Sequence, residues 1–267
     1  KHYKNEKDYE VLDEIHFWLN GDGVTNKRRT ALFVLNPGGT PRRITEPEFD
    51  LDDMLAMNGK VYFTGTFYTD RRPLRNEGLY CLDPDSGTLT RVLDCPGRSV
   101  DSLTQVGNKI WCASSNGARY GVNENEWVYE FDPLTGAFEV LREEELNMYG
   151  SVGSDCRWGG GEQWQSKGGS LYHVATREGN AVLLRLDTDG SSYPVVTKPG
   201  SIDAIALSEK TNEALLIALY DNRLQELYAA DLATGAVRRL SSFNEEVLKD
   251  TYVAEPRSMT ICSEGMD

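Results

Sequence analysis

Apolar and polar positions along this chain alternate over short stretches, and glycine-bearing turns interrupt the alternation at regular intervals. That pattern predicts strands rather than helices. One unit recurs five times: an apolar residue, an aromatic or aliphatic one, two further positions, Asp or Asn, a tight turn, then glycine. The copies are Leu32-Phe33-Val34-Leu35-Asn36, Leu79-Tyr80-Cys81-Leu82-Asp83, Val128-Tyr129-Glu130-Phe131-Asp132, Leu183-Leu184-Arg185-Leu186-Asp187 and Leu227-Tyr228-Ala229-Ala230-Asp231. They start at residues 32, 79, 128, 183 and 227. The acidic or amide side chain can tie the turn to nearby main chain, and glycine supplies the positive φ that closes a hairpin.

A short strand returns after each turn, at Arg42-Arg43-Ile44, Leu89 to Val92, Phe138 to Leu141, Tyr193 to Val196 and Val237 to Leu240. A more apolar strand precedes most copies, for example Lys60 to Thr64, Lys109 to Ala113, Ser170 to Val174 and Ala214 to Leu219. Apolar runs suit strands covered on both faces, and charged alternating ones suit edges. Repeats of roughly 45–50 residues, each with several strands, define a β-propeller blade. The fold class predicted is therefore all-β, a β-propeller of four-stranded antiparallel blades with five blades readable, spanning residues 1–262. A β-sandwich with coincidental hairpins is the competing arrangement, and five copies of one turn signature argue against it.

Two segments break the rhythm. In residues 143–169 the run from Ser151 to Trp164 is rich in glycine and contains Asp155, Arg157, Trp158 and Glu162. It reads either as an inner strand with a bulge, whose glycines permit close packing, or as a loop facing a substrate chamber. Glu143-Glu144-Glu145 reads as a solvated helical face. Residues 243–256 predict a short helix capped by Asn244, followed beyond Pro256 by a last strand from Arg257 to Cys262. Residues 263–267 read as the start of a linker.

Composition narrows the function classes. The 267 residues carry a formal net charge of −14, which disfavours nucleic acid and anionic membrane surfaces as partners. The arginine doublets are short and scattered. Five cysteines, an odd number with no CxxC pair, fit a reducing compartment, and a cytoplasmic location is expected. No apolar run is long enough for a transmembrane helix.

Catalytic motifs are sparse. Gly150-Ser151-Val152-Gly153 has the wrong spacing for a G-x-S-x-G elbow. The three histidines, His2, His16 and His173, have no accompanying serine or cysteine pattern, with His16 read in the first strand and His173 in an inner one. There is no H-E-x-x-H and no His/Cys cluster, so neither metal nor cofactor is expected. Asn20-Gly21-Asp22-Gly23 mimics part of a calcium loop but lacks its remaining carboxylates, and reads as a tight turn.

The two ends of the chain carry a family resemblance. Asp13-Glu14-Ile15-His16-Phe17-Trp18, Asn20 to Gly23, Lys27-Arg28-Arg29 and Leu32-Phe33-Val34 resemble a mid-propeller blade of acylaminoacyl peptidases, of the prolyl oligopeptidase family of serine peptidases. Val237 to Ser241, Asn244, Leu248, Glu255-Pro256 and Ile261 to Gly265 resemble that family's exit from the propeller. The resemblance implies a non-catalytic propeller that caps a C-terminal α/β-hydrolase domain, absent from these residues, and restricts the peptide substrates that reach it. None of the Ser-Asp-His triad can be placed on this sequence. Family propellers usually have seven blades, so five imply an N-terminally truncated fragment or a smaller closure; a truncated one would expose blade faces and favour self-association. Asp155, Arg157, Trp158 and Glu162 are the candidate chamber wall. Two other readings stay open: a free-standing protein-interaction propeller, and a five-bladed carbohydrate-active enzyme with carboxylates at its axis.

Overall fold

The computed structural model describes residues 11–75, 77–148, 152, 156, 161–255, 257 and 259–263. The chain divides into two compact units, Lys1–Glu145 and Leu146–Asp267. Both are built of antiparallel strands.

The first unit opens with two hairpins. β1 (Trp18–Leu19) pairs with β2 (Gly23–Val24), and β3 (Phe33–Val34) with β4 (Arg42–Arg43). Two four-stranded meanders follow. One is β5 (Phe49–Met57), β6 (Lys60–Phe67), β7 (Glu77–Leu82) and β8 (Leu89–Cys95). The other is β9 (Asp101–Val106), β10 (Lys109–Ser114), β11 (Trp127–Phe131) and β12 (Phe138–Arg142). The second unit holds β13 (Trp164–Lys167), β14 (Ser170–Arg177), β15 (Asn180–Leu186) and β16 (Ser192–Val196), then β17 (Gly200–Leu207), β18 (Glu213–Tyr220), β19 (Glu226–Asp231) and β20 (Val237–Arg239). A single parallel bridge, Ala181 to Ser201, joins these two meanders.

The last four repeat copies each land on the third strand of a four-stranded set, and their returning strands on the fourth. Burial grades outward as the apolar pattern predicts. The second strands β6, β10 and β14 are almost continuously buried, whereas β8, β12, β16 and β20 lie largely open to solvent. Hydrophobic cores fill the space between consecutive sheets. Met57, Leu79, Cys81, Cys95, Val100, Ile110, Cys112 and Phe131 pack together in the first unit. Val174, Leu183, Val196, Ile202, Leu216 and Tyr228 do so in the second.

The turn chemistry also follows the repeat. Asp83, Asp132 and Asp231 each accept two main-chain N–H bonds from the turn that follows, at 2.8–3.4 Å. The glycines that close those turns, Gly87, Gly136 and Gly235, have φ near +70°.

Five expectations are corrected. The first copy forms only two-residue strands, in two hairpins rather than a four-stranded blade. The segment before it supplies only the two-residue strands β1 and β2, and its Glu14 and Arg29 form a buried ion pair. His16 correspondingly lies in a bend outside β1. Glu143-Glu144-Glu145 is not helical, and Glu144 is buried, accepting from Arg142 Nε at 3.0 Å. The helix α1 (Glu245–Leu248) forms after Asn244, but the Asn244 side chain does not cap it; it turns back to Gln225 and Glu226. The described residues 257 and 259–262 form no strand.

Candidate functional site

Antiparallel order places the connection between second and third strands at the end of the meander where the first strand begins. The opposite end holds the tight Asp-Gly turns and the short connections such as 58–59 and 107–108. In the first unit the longer connections 68–76 and 115–126 lie at the former end. Polar side chains not used by the ladders collect there.

On β5, Asp50 and Asp52 stand two residues apart, so both project from one face. Asp50 accepts from the Thr30 N–H at 2.9 Å, the Tyr68 hydroxyl at 3.3 Å and Arg72 Nη1 at 3.0 Å. Arg72 Nη2 pairs with Asp52. Burial lifts the Asp52 carboxyl above its ordinary value although Arg72 pulls the other way. Behind them, Arg29 Nη1 donates to Glu14 Oε2 at 3.0 Å, and the guanidinium lies 3.7 Å from the centroid of the Tyr68 ring. The hydrogen bonds from Arg29 hold Glu14 below the usual carboxylate range. Asp50, Asp52, Tyr68, Arg72, Arg29 and His16 border an open cleft of about 590 Å³.

The connection 115–126 is built around one carboxylate. Glu124 accepts from Ser115 Oγ at 2.7 Å and from the N–H groups of Gly117, Arg119 and Tyr120 at 2.7–3.2 Å. The bond from Ser115, with those from the main chain, lowers its pKa to about 2. Arg75, from the connection 68–76, donates to the Gly121 carbonyl at 2.6 Å and ties the two loops together. Tyr120 and Val122 remain exposed.

The first strands carry the ties between sheets. Each of β5, β9 and β17 has a register shift. A bulge leaves an N–H out of the ladder and re-aims a side chain. Asp53 Oδ2, at the shift in β5, accepts from the Leu103 N–H at the shift in β9, 2.6 Å away.

In the second unit the sequence candidate Glu162 is exposed, and it is its main chain that acts: the carbonyl accepts from the Ile205 N–H at 2.8 Å. Gln163 donates to the Asp203 carbonyl at 3.1 Å, and Gln165 accepts from the Leu207 N–H at 2.7 Å. The other candidates, Asp155, Arg157 and Trp158, lie outside the described residues. Asp203 itself is the bulged residue of β17, and only 2% exposed. Its carboxylate accepts from Ser201 Oγ at 3.1 Å and Gln225 Nε2 at 3.0 Å. Next to it an open cleft of about 550 Å³ is bordered by Asn180, Lys198, Ser201, Asp221 and Arg223, with Lys198 paired to Asp221 at 2.9 Å.

Sequence reasoning passed over Asp50, Arg72, Asp203 and Gln225. One signal existed: Asp203 interrupts the apolar run Ile202-Ala204-Ile205, where a polar residue needs a partner.

These networks share a chemical character. The serine hydroxyls in them bond to carboxylates or main chain: Ser115 to Glu124, Ser99 to Glu126, Ser201 to Asp203. Among the described residues no group of three or more His, Cys, Asp or Glu side chains is placed to hold a metal ion. The arrangement positions loops through hydrogen bonds and charge.

Four-stranded antiparallel meanders, packed through apolar cores within each unit, define an all-β propeller protein. No protein-family model and no curated protein matches the sequence. Solved structures do. The acylaminoacyl peptidase of Pyrococcus horikoshii matches with a TM-score of 0.68 at 18% identity, over 95% of this chain and 37% of that one. The β-propeller domain of the trilobed protease of Pyrococcus furiosus matches at 0.53 and 16% identity, over 72% of this chain and 52% of that one. TolB of Acinetobacter baumannii matches at 0.51 and 16% identity, over 76% and 46%. At these identities the likeness is one of fold. The chain spans about a third to a half of the length of the structures it matches. Among the described residues no helix is long and apolar enough to cross a membrane.

Proposed function

We propose that this chain is the non-catalytic propeller of a serine peptidase resembling acylaminoacyl peptidases, and that it restricts and guides peptide substrates to an α/β-hydrolase domain outside these residues. The observation that carries the reading is the match to the Pyrococcus horikoshii enzyme, which takes in nearly all of this chain and about a third of that one.

Guidance at this level is steric and electrostatic. A net charge of −14 favours basic or neutral peptides through the long-range field. Asp155, Arg157, Trp158 and Glu162 are the proposed chamber wall. Arg157→Ala in the full-length parent should then change KM for peptides more than KM for small esters, because an ester needs no guidance past the wall. Equal KM for both substrate classes in wild type and variant would remove Arg157 from that role.

A second reading is a binding propeller with no hydrolase domain attached. The match to TolB, a chain not named as a peptidase, favours it. A parent sequence lacking a serine elbow distinguishes it from the first.

A further inference from the structure

The segment that follows β20 in the second unit has an unusual attachment. After β20 the chain runs back across the start of β19 as a strap, residues 241–255, which contains α1. No residue from 242 to 255 is buried, and Phe243, Val247 and Tyr252 are 70–89% exposed. Apolar burial therefore cannot hold the strap in place, and polar contacts must.

Those contacts converge on one group. Glu226, the first residue of β19, is 2% exposed. Its carboxylate accepts from the Phe243 N–H at 2.9 Å, the Asn244 N–H at 2.8 Å, Asn244 Nδ2 at 3.2 Å and Ser241 Oγ. Every one of these donors belongs to the first residues of the strap. Ser241 Oγ in turn accepts from the Leu227 N–H at 2.8 Å, and Asn244 Nδ2 also donates to the Gln225 carbonyl at 2.6 Å. Farther along, Glu245 meets Arg239 and Arg223, but these pairs are solvent-exposed and such pairs contribute little. Hydrogen bonds to a buried charge are the strong kind, and removing one partner leaves the rest unsatisfied.

We propose that Glu226 is a latch: its buried carboxylate fastens the strap to the last meander, and the strap opens as a unit when that carboxylate is lost while β17–β19 stay folded. The strap is also one wall of an open cleft of about 690 Å³, whose other wall is Asp221, Asn222 and Arg223. Opening the latch removes that wall. This device is independent of whether a hydrolase domain is attached, since all its parts lie in the second unit.

Hydrogen exchange on the 267-residue chain tests it. In wild type the amides of Phe243, Asn244, Leu248 and Thr251 should be protected. In Glu226→Gln, and separately in Asn244→Ala, these amides should exchange at least tenfold faster, the factor expected for losing a hydrogen bond to a charged group. The amides of β18, Ala214 to Leu219, should keep their wild-type rates. If Glu226→Gln fails to fold, Asn244→Ala decides, because it removes donors from the strap without leaving a hole in the sheet. Strap amides unprotected in wild type, unchanged in the variants that fold, or lost together with those of β18 in Asn244→Ala would each overturn the latch.

Discussion

At the scale of single residues, a few glycines and acids carry the architecture. Gly65 in β6 shows how tightly the first strands approach the second. A Cβ there would lie 2.4 Å from the Asp50 carbonyl oxygen and 2.5 Å from the Phe49 ring. Neither can move freely, since Asp50 is held by Thr30, Tyr68 and Arg72, and Phe49 packs edge-on against Phe63 and Tyr80. Gly65→Ala is expected to destabilise the chain by about 2–3 kcal/mol, the cost of overpacking against rigid neighbours. Denaturant unfolding should show a lower midpoint with an unchanged slope. A midpoint within experimental scatter of wild type would mean that β5 has more room than its contacts imply.

At the scale of elements, the pattern of apolar and polar positions was a sufficient guide wherever burial decides the outcome. The third and fourth strands of the last four repeats, and the gradient from buried second strand to exposed fourth, follow from periodicity and turn residues alone. The reading went astray where a polar side chain, not an apolar stripe, organises the chain. Glu144 was read as solvated because three successive glutamates look like a surface, yet its bond to Arg142 lets it be buried. Asn244 precedes a helix in the usual capping position, but its side-chain amide turns to the buried carboxylate of Glu226 and the Gln225 carbonyl instead. The Glu124 loop and the Asp203 cluster were invisible for the same reason. Their partners are main-chain N–H groups or amides brought in by the fold, and no local spacing announces them.

Glu124 also gives a pH prediction for its element. Its carboxyl is lowered from 4.5 to about 2 in the folded chain, so folding favours the ionised form. The stabilisation it contributes is present in full above the pH at which the free carboxyl titrates and is lost as pH falls through about 2. A carbon-detected titration should place the Glu124 midpoint near 2, with the loop amides of Gly117, Arg119 and Tyr120 shifting along the same curve. A midpoint at the ordinary glutamate value, about 4.3, would show that those three amides are not held by this carboxylate in solution.

At the scale of the whole molecule, the chain is two units of repeated antiparallel sheets, each with its own polar networks. The sheets are held by apolar cores, and their first strands are tied by side-chain to main-chain bonds such as Asp53 to Leu103 and Gln165 to Leu207. That division suits a propeller whose loops vary in chemistry while its frame stays constant. Fold alone does not fix activity, and the same frame is present in peptidases and in TolB. What separates the readings is whether hydrolysis depends on a domain outside these residues. The most direct measurement is release of the acylated residue from a short acyl-peptide by the 267-residue chain and, in parallel, by the full-length parent. The account predicts turnover by the parent, sensitive to a serine-directed inhibitor, and none by the chain alone. Turnover by the chain alone would contradict a non-catalytic propeller, and an inactive parent without a serine elbow would contradict its place in a peptidase.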